Sequence, residues 1–293
     1  MHTAILSLLF ITLYGSGFVA TQFGIPYTDP LSFLTYRFFI TAIILTIVCL
    51  VIRARWPSSV KEVMHQSIAG ALIVGTFSIG VFISIDQGTS AATSALIISF
   101  QPLIASLLSF LIMRTKINRP QWIGLIMGLL GVSFIVFSKL SVNSLSGIMM
   151  SVLGLLGLAF GSLYQKAFCA NMNIFSGGVI HTSSSAVLCL LISLFYGDSY
   201  TEWQPEFIFS LLWMSIVVSI GALSILYVLI RKLEISQVSS LFYLIPVSSV
   251  ILSIIFLDES LNTNELVGIL ITSVAVFMVN SSIFRSTRPT KPI

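Results

Sequence analysis

The sequence predicts an all-α integral membrane protein: ten transmembrane helices arranged as two inverted-topology five-helix repeats. Three observations predict it. Charge is scarce, apolar runs long enough to span a membrane recur along the chain, and the second half repeats the first at a fixed offset. Of 293 residues, 56% are hydrophobic and only 8% charged, against roughly 25% charged in an ordinary soluble domain. A soluble globular protein is excluded. The 22 Phe and the lack of a basic stripe also exclude a disordered or nucleic-acid-binding chain. Cys49, Cys169 and Cys189 form no CxxC pair, so they predict apolar fillers and neither a disulfide framework nor a zinc site.

A spanning helix needs about 20 mostly apolar residues. The first run, 4–23, has no Lys or Arg before it and no clear small-residue cleavage site after it, so it reads as a retained helix. The second, 31–52, follows Pro30 and carries Arg37. The third, 66–86, closes on Asp86, and the fourth, 91–113, contains Pro102. The fifth, 120–138, presents Gly124, Gly128 and Gly131, and the sixth, 145–164, presents Gly157 and Gly161. His181 lies inside the seventh, 174–197, and Arg231-Lys232 follow the eighth, 207–230. Pro246 lies inside the ninth, 236–257, while the tenth, 264–284, carries Gly268, Thr272 and Ala275 in register with the glycines of the fifth. The runs are continuously apolar, without the short alternating segments of a membrane barrel.

Lys and Arg of short loops stay on the cytoplasmic side, and here they segregate. With both termini inside, the inner segments hold Arg53, Arg55, Lys61, Arg114, Lys116, Arg119, Lys166, Arg231, Lys232, Arg285, Arg288 and Lys291, twelve of the fourteen basic residues. Lys139 falls outside and Arg37 within a span. The outer loops collect Asp29, Asp86, Asp198, Glu202, Glu206, Asp258, Glu259 and Glu265. The expected location is the cell inner (plasma) membrane, with N and C termini cytoplasmic. The +4 net charge then reflects topology and implies no nucleic acid or other anionic partner.

Sliding the chain by 144 residues sets Pro102 on Pro246, Leu108 on Leu252, Ser109 on Ser253, Asn118 on Asn262, Gly124 on Gly268 and Arg37 on His181. Two five-helix halves follow, 1–140 and 141–284, with a basic tail at 285–293. Five is odd, so the second half starts on the opposite side of the membrane. Such inverted repeats belong chiefly to transporters that hold substrate near the midplane.

Several stretches carry a family resemblance: Leu13-Tyr14-Gly15-Ser16-Gly17-Phe18, Pro30 with Arg37-Phe38, Ala95-Leu96 to Pro102-Leu103, and Ser239 to Pro246-Val247 with Leu257-Asp258-Glu259 and Gly268. In order and spacing the chain resembles the EamA family of the drug/metabolite transporter superfamily. Arg114-Thr115 departs from the Gly-Glu pair frequent there, and Tyr14 from a common Trp. The resemblance implies secondary transport of small metabolites, often export of amino acids or drug-like compounds. Some members import nucleotides or cofactors such as S-adenosylmethionine.

Pro102 and Pro246 each remove a backbone hydrogen bond near mid-membrane, predicting a broken helix in each half, either a packing kink or part of a binding site. The candidate substrate-binding residues are Tyr14, Ser16, Ser78, Ser99, Gln101, Tyr164, Tyr227, Gln237 and Tyr243, polar or aromatic groups in spans expected to border a cavity. The alternative for any one of them is interhelical hydrogen bonding, worth about 0.6 kcal/mol on average. Arg37 and His181, candidates for charge or proton coupling, each lie roughly 10 Å inside a span. For Arg37 the alternatives are snorkelling to headgroups, pairing with Asp29 or Asp86, or holding a substrate carboxylate; for His181, a packing donor or a titrating group.

An enzyme is not expected. His2, His65 and His181 fall in separate segments, and there is no HExxH, GxSxG or phosphate-cradling loop. No cofactor is expected. The expected partners are a small-molecule metabolite and the bilayer, with a monomer as default and a dimer left open. The expected activity is alternating-access export of small net-neutral metabolites, such as aromatic or other hydrophobic amino acids. An S-adenosylmethionine or nucleotide-derivative importer and a broad drug exporter are the alternatives.

Overall fold

In a computed structural model, which describes residues 2–89, 91–136, 144–196, 200–257 and 263–285, ten helices are long and apolar enough to cross a membrane. They are α1 (Thr3–Thr21), α2 (Pro30–Val51), α3 (Val60–Asp86), α4 (Thr93–Met113), α5 (Arg119–Val136), α6 (Leu145–Phe168), α7 (Ile174–Phe195), α8 (Pro205–Lys232), α9 (Ile235–Phe256) and α10 (Thr263–Asn280). Among the described residues the only β contact is an isolated bridge between Thr28 and Thr201. Lys139, Asp198, Asp258, Glu259 and the tail beyond Arg285 lie outside the described residues, as does the Gln22 side chain.

Three helices, α3, α6 and α8, exceed their apolar runs by four residues or more. α3 starts at Val60, six residues before the run, because Ser59 Oγ accepts the Glu62 N–H at 3.2 Å and the Glu62 carboxylate accepts the Ser58 N–H at 3.0 Å. That S-x-x-E box is a sequence-readable helix start. At 1.5 Å per residue α3 and α8 are each about 40 Å long, so both project beyond a hydrocarbon core of roughly 30 Å. Large apolar side chains such as Leu8, Val51, Leu194 and Ile255 point outward. This is the surface a lipid-facing bundle needs, since lipid is as apolar as they are.

α1 packs on α8 and α9, and α6 packs on α3 and α4, while α2 pairs with α7 and α5 with α10. Exchanging the first five helices for the last five leaves this pairing unchanged. Small residues permit the close crossings: a Cβ on Gly131 would stand 2.7 Å from Thr272 N, and one on Gly268 would stand 2.6 Å from Gly131 O. The glycine faces of α5 and α10 are therefore consumed inside the bundle.

Four spans are irregular, in two matching pairs. α3 is π-helical over Ala71–Thr76 and α8 over Met214–Ala222. α4 consists of helical segments ending at Ile98 and restarting at Gln101, with Pro102 in the first turn of the second segment. α9 runs Ile235–Ser240, tightens to a 3-10 turn over Leu241–Tyr243 and resumes at Leu244. Proline donates no backbone bond to the residue four earlier, which is Ile98 for Pro102 and Phe242 for Pro246. The π segments come without proline. In α3 Thr76 Oγ1 donates to the Ala71 carbonyl at 2.9 Å.

α4 ends on Arg114, whose φ of 54° is left-handed, with its N–H bonded to Ser109 O. Glycine adopts this conformation without the Cβ clash. Arg114→Gly is expected to raise stability by about 1 kcal/mol, read as a higher Tm in detergent.

Candidate functional site

The interior cluster begins on α1. Tyr14 packs at 5.4 Å from Phe10 and 6.0 Å from Phe242, and Phe10 and Phe242 meet edge to face at 5.5 Å. Phe242 reaches them because the 3-10 turn of α9 presents it there. α8 packs on both α1 and α2, so the helices that carry Tyr14, Arg37 and Tyr227 meet in the interior.

Arg37 is 6% exposed and does not snorkel. Its Nε donates to Ser219 Oγ at 2.9 Å, and its guanidinium carbon lies 5.2 Å from the Phe38 ring centroid. Asp29 is not its partner, because Asp29 Oδ1 caps α2 by accepting the N–H groups of Leu31 and Ser32 at 3.1 and 3.0 Å. Among the described residues no carboxylate pairs with Arg37, and its Nη groups carry no hydrogen bond. The α2–α8 contact is locked beside it: Thr41 Oγ1 donates to Ser215 O at 3.0 Å and Ser215 Oγ to Arg37 O at 3.2 Å. Ser215 stands in the π segment of α8.

His181, fully buried, meets the Tyr227 hydroxyl through Nδ1 at 2.9 Å, and its Nε2 has no partner. Arg37 and His181 thus reach the same helix, at Ser219 and Tyr227, about 12 Å apart along α8. Near the break of α9, Gln101 Nε2 donates to Ser239 Oγ at 3.2 Å and Asn280 Nδ2 to Ser240 Oγ at 2.8 Å. The carbonyl oxygens of Gln101 and Asn280 stay unpaired. Buried polar groups are normally satisfied, so His181 Nε2 and Gln101 Oε1, both buried without a partner, are free polar capacity in the interior. Asn280 was not among the residues singled out from sequence, although an Asn inside the apolar run 264–284 is a readable signal.

The other expected residues have different settings. Ser16 Oγ donates to Leu13 O and accepts from Trp213 Nε1 at 3.0 Å, joining α1 to α8. Ser99 Oγ donates to Leu96 O at 2.6 Å within the broken segment, and Ser78 is buried in α3. Tyr164 stands apart, near the end of α6, where its hydroxyl meets His65 Nδ1 at 2.7 Å beside Phe168. Gln237 is a capping residue: its Oε1 accepts the Glu234 N–H at 3.2 Å in a reciprocal box that starts α9. The Glu234-Ile-Ser-Gln237 spacing carries that signal. Lys166, near the same end, donates to Leu233 O.

Tyr243 is fully buried, and its hydroxyl donates to Leu125 O at 2.8 Å. Its ring fills the space over Gly128, where an added Cβ would come within 2.5 Å. Tyr243→Phe is expected to cost about 1 kcal/mol of stability, the net worth of one hydrogen bond. Substrate affinity should stay unchanged, as thermal unfolding and transport of the same variant would report.

The model of the EamA-like transporter family matches the chain twice, over residues 1–137 and 145–281. Among curated proteins the chain is 27% identical to the "uncharacterized transporter YvbV" of Bacillus subtilis (strain 168), covering 96% of this chain and 92% of that one. It is 22% identical to the "uncharacterized inner membrane transporter YedA" of Escherichia coli (strain K12), covering 96% and 90%. To "Protein PecM" of Dickeya dadantii (strain 3937) it is 25% identical, covering 94% and 91%. A crystal structure 15% identical in sequence superposes with a TM-score of 0.81 over 98% of this chain and 99% of that one, the same fold. Double coverage by one family model, on a bundle of ten apolar helices, makes this chain a multi-pass membrane protein that belongs to the EamA-like transporter family.

Proposed function

We propose that the protein is a secondary transporter that exports small net-neutral metabolites, amino acids foremost, across the inner membrane with both termini in the cytoplasm. The two halves, 1–140 and 141–284, are read as inverted repeats that rock against each other. The observation that carries this reading is the matched irregularity of the halves. π-helical segments in α3 and α8, and breaks in α4 and α9, surround a buried cluster with free polar capacity. Interrupted helices at corresponding positions mark substrate sites in transporters, and π segments recur at functional sites.

The cluster's chemistry supports a zwitterion. The Arg37 Nη groups suit a carboxylate bidentately. The Tyr14, Phe242 and Tyr227 rings suit an ammonium or an apolar side chain. Among the described residues no acid accompanies Arg37, which disfavours a purely cationic substrate, and a polyanionic nucleotide would need more than one guanidinium. Mass spectrometry of medium and cytosol tests the reading, comparing cells expressing wild type with cells expressing Tyr14→Ala, Gln101→Ala. An amino acid enriched in the medium with wild type only is expected. Accumulation inside the cells would reverse the direction, and unchanged pools would overturn the reading.

A further inference from the structure

At the end of the bundle where α2 leads into α3 and α6 into α7, two adjoining cavities of about 330 and 340 Å³ open between the halves. They share Glu62, Gln66, Asn171 and Met172, and the first adds Arg55 and Arg231. None of these side chains belongs to the interior cluster. We propose that the joined cavity is a second recognition site, for the zwitterionic head of an amino acid, at one mouth of the bundle. The proposal rests on the amino-acid reading above and deepens it.

The lining has three parts that a single head group would satisfy together. Arg55 and Arg231 supply two guanidiniums, and only one nitrogen of Arg231 is committed, to Met172 O. Glu62 supplies a carboxylate held in place by the Ser58 N–H and hydroxyl. Gln66, 6% exposed, lines both cavities, and its carbonyl oxygen is buried without a hydrogen-bond partner. A simple anion would satisfy the guanidiniums and leave Gln66 Oε1 without a donor. A simple cation would satisfy Gln66 and Glu62 and face two like charges. An α-amino acid presents a carboxylate and an ammonium together, and so answers both sets. Each cavity is already at the lower end of the range that holds small ligands.

The backbone around the site is tied across the halves, so the walls are built and not incidental. Ser176 Oγ donates to Arg55 O at 2.7 Å, and Asn173 Oδ1 accepts the N–H groups of Phe175 and Ser176, fixing the start of α7 beside the α2–α3 loop. With the termini on this side, the mouth faces the cytoplasm, where an exporter loads.

Trp56 lines the first cavity and provides an optical probe. The experiment titrates purified full-length protein in nanodiscs with each of the twenty standard L-amino acids, and with acetate and inorganic phosphate, following tryptophan fluorescence. At least one amino acid is expected to give a saturable change that disappears in Trp56→Phe, weakens tenfold or more in Gln66→Leu, and persists in Arg37→Gln. Acetate and phosphate should not reproduce it. The proposal is overturned if no amino acid gives a Trp56-dependent change, if acetate or phosphate competes as well as the amino acid, or if Gln66→Leu binds like wild type. A Trp56 signal in a protein that moves no amino acid would refute the transport reading alone. Transport without that signal would refute this site alone.

Discussion

Arg37→Gln is expected to lower amino-acid flux at subsaturating substrate by about 30- to 150-fold, the equivalent of the roughly 2–3 kcal/mol that a hydrogen-bonded charge contributes. The reasoning starts from the side chain's neighbours. Arg37 is buried, its Nε is held by Ser219, and its Nη edge points to no partner among the described residues. A guanidinium kept in a low-dielectric interior without a counterion is costly, so substrate is the natural source of the missing charge. The same substitution should therefore raise Tm in the absence of substrate, because it removes an uncompensated charge. Loss of transport with gain of stability is the sign pattern of a functional group, whereas a structural arginine would lose both. Arg37→Lys should recover only part of the flux, since an ammonium keeps the charge but loses the planar fork. Unchanged apparent affinity in Arg37→Gln, measured by counterflow in proteoliposomes, would remove Arg37 from the site.

The spans were readable because membrane thickness dictates their length: all ten helices coincide with the apolar runs to within a few residues at most ends. The six-residue error at the start of α3 came from treating polarity as the end of a helix, when Ser59 and Glu62 cap a polar turn outside the apolar run. Breaks in α4 and α9 were readable because proline has a local, one-residue cause. The π segments were not. Ala71-Leu-Ile-Val-Gly-Thr76 reads as ordinary apolar helix, and its extra residue per turn is decided by packing against α6 and α7.

For the candidate site, residue type indicated depth but not direction. Tyr14, Tyr227 and Tyr243 are alike in sequence, each a hydroxyl in an apolar run, yet Tyr227 meets His181 and Tyr243 meets the backbone of α5. Successive helical residues differ by about 100° in direction, and the 3-10 turn of α9 alters that register just where Phe242 turns to Tyr14 and Tyr243 turns away. Tyr164 could have been separated by arithmetic alone. It lies nineteen residues beyond Leu145, about 28 Å along α6 and so near its far end. His65, its partner, precedes the apolar run of α3 and drew no expectation.

Among the described glycines, Gly70→Ala should be the most damaging change to alanine. A Cβ built at Gly70 would stand 2.3 Å from His181 Cα and 2.8 Å from His181 O, both backbone atoms with no rotamer to yield. α3 and α7 touch here, backbone to backbone, and Ser185 Oγ donates to Gly70 O at 3.1 Å across the same crossing. Prying the helices apart by the ångström or more that a methyl requires would break that bond and shift His181 away from Tyr227. Overpacking of a rigid site costs 1–3 kcal/mol or more, and a loss of about 3 kcal/mol is expected here, a large share of the total for a marginally stable fold. Gly88→Ala gives the contrast: no atom lies within 4 Å of its added Cβ, and its positive φ of 90° confines the penalty to the local backbone. Size-exclusion profiles and Tm in detergent compare the two. A Gly70→Ala protein as monodisperse and heat-resistant as wild type would mean that α3 and α7 do not cross as closely as the structure places them.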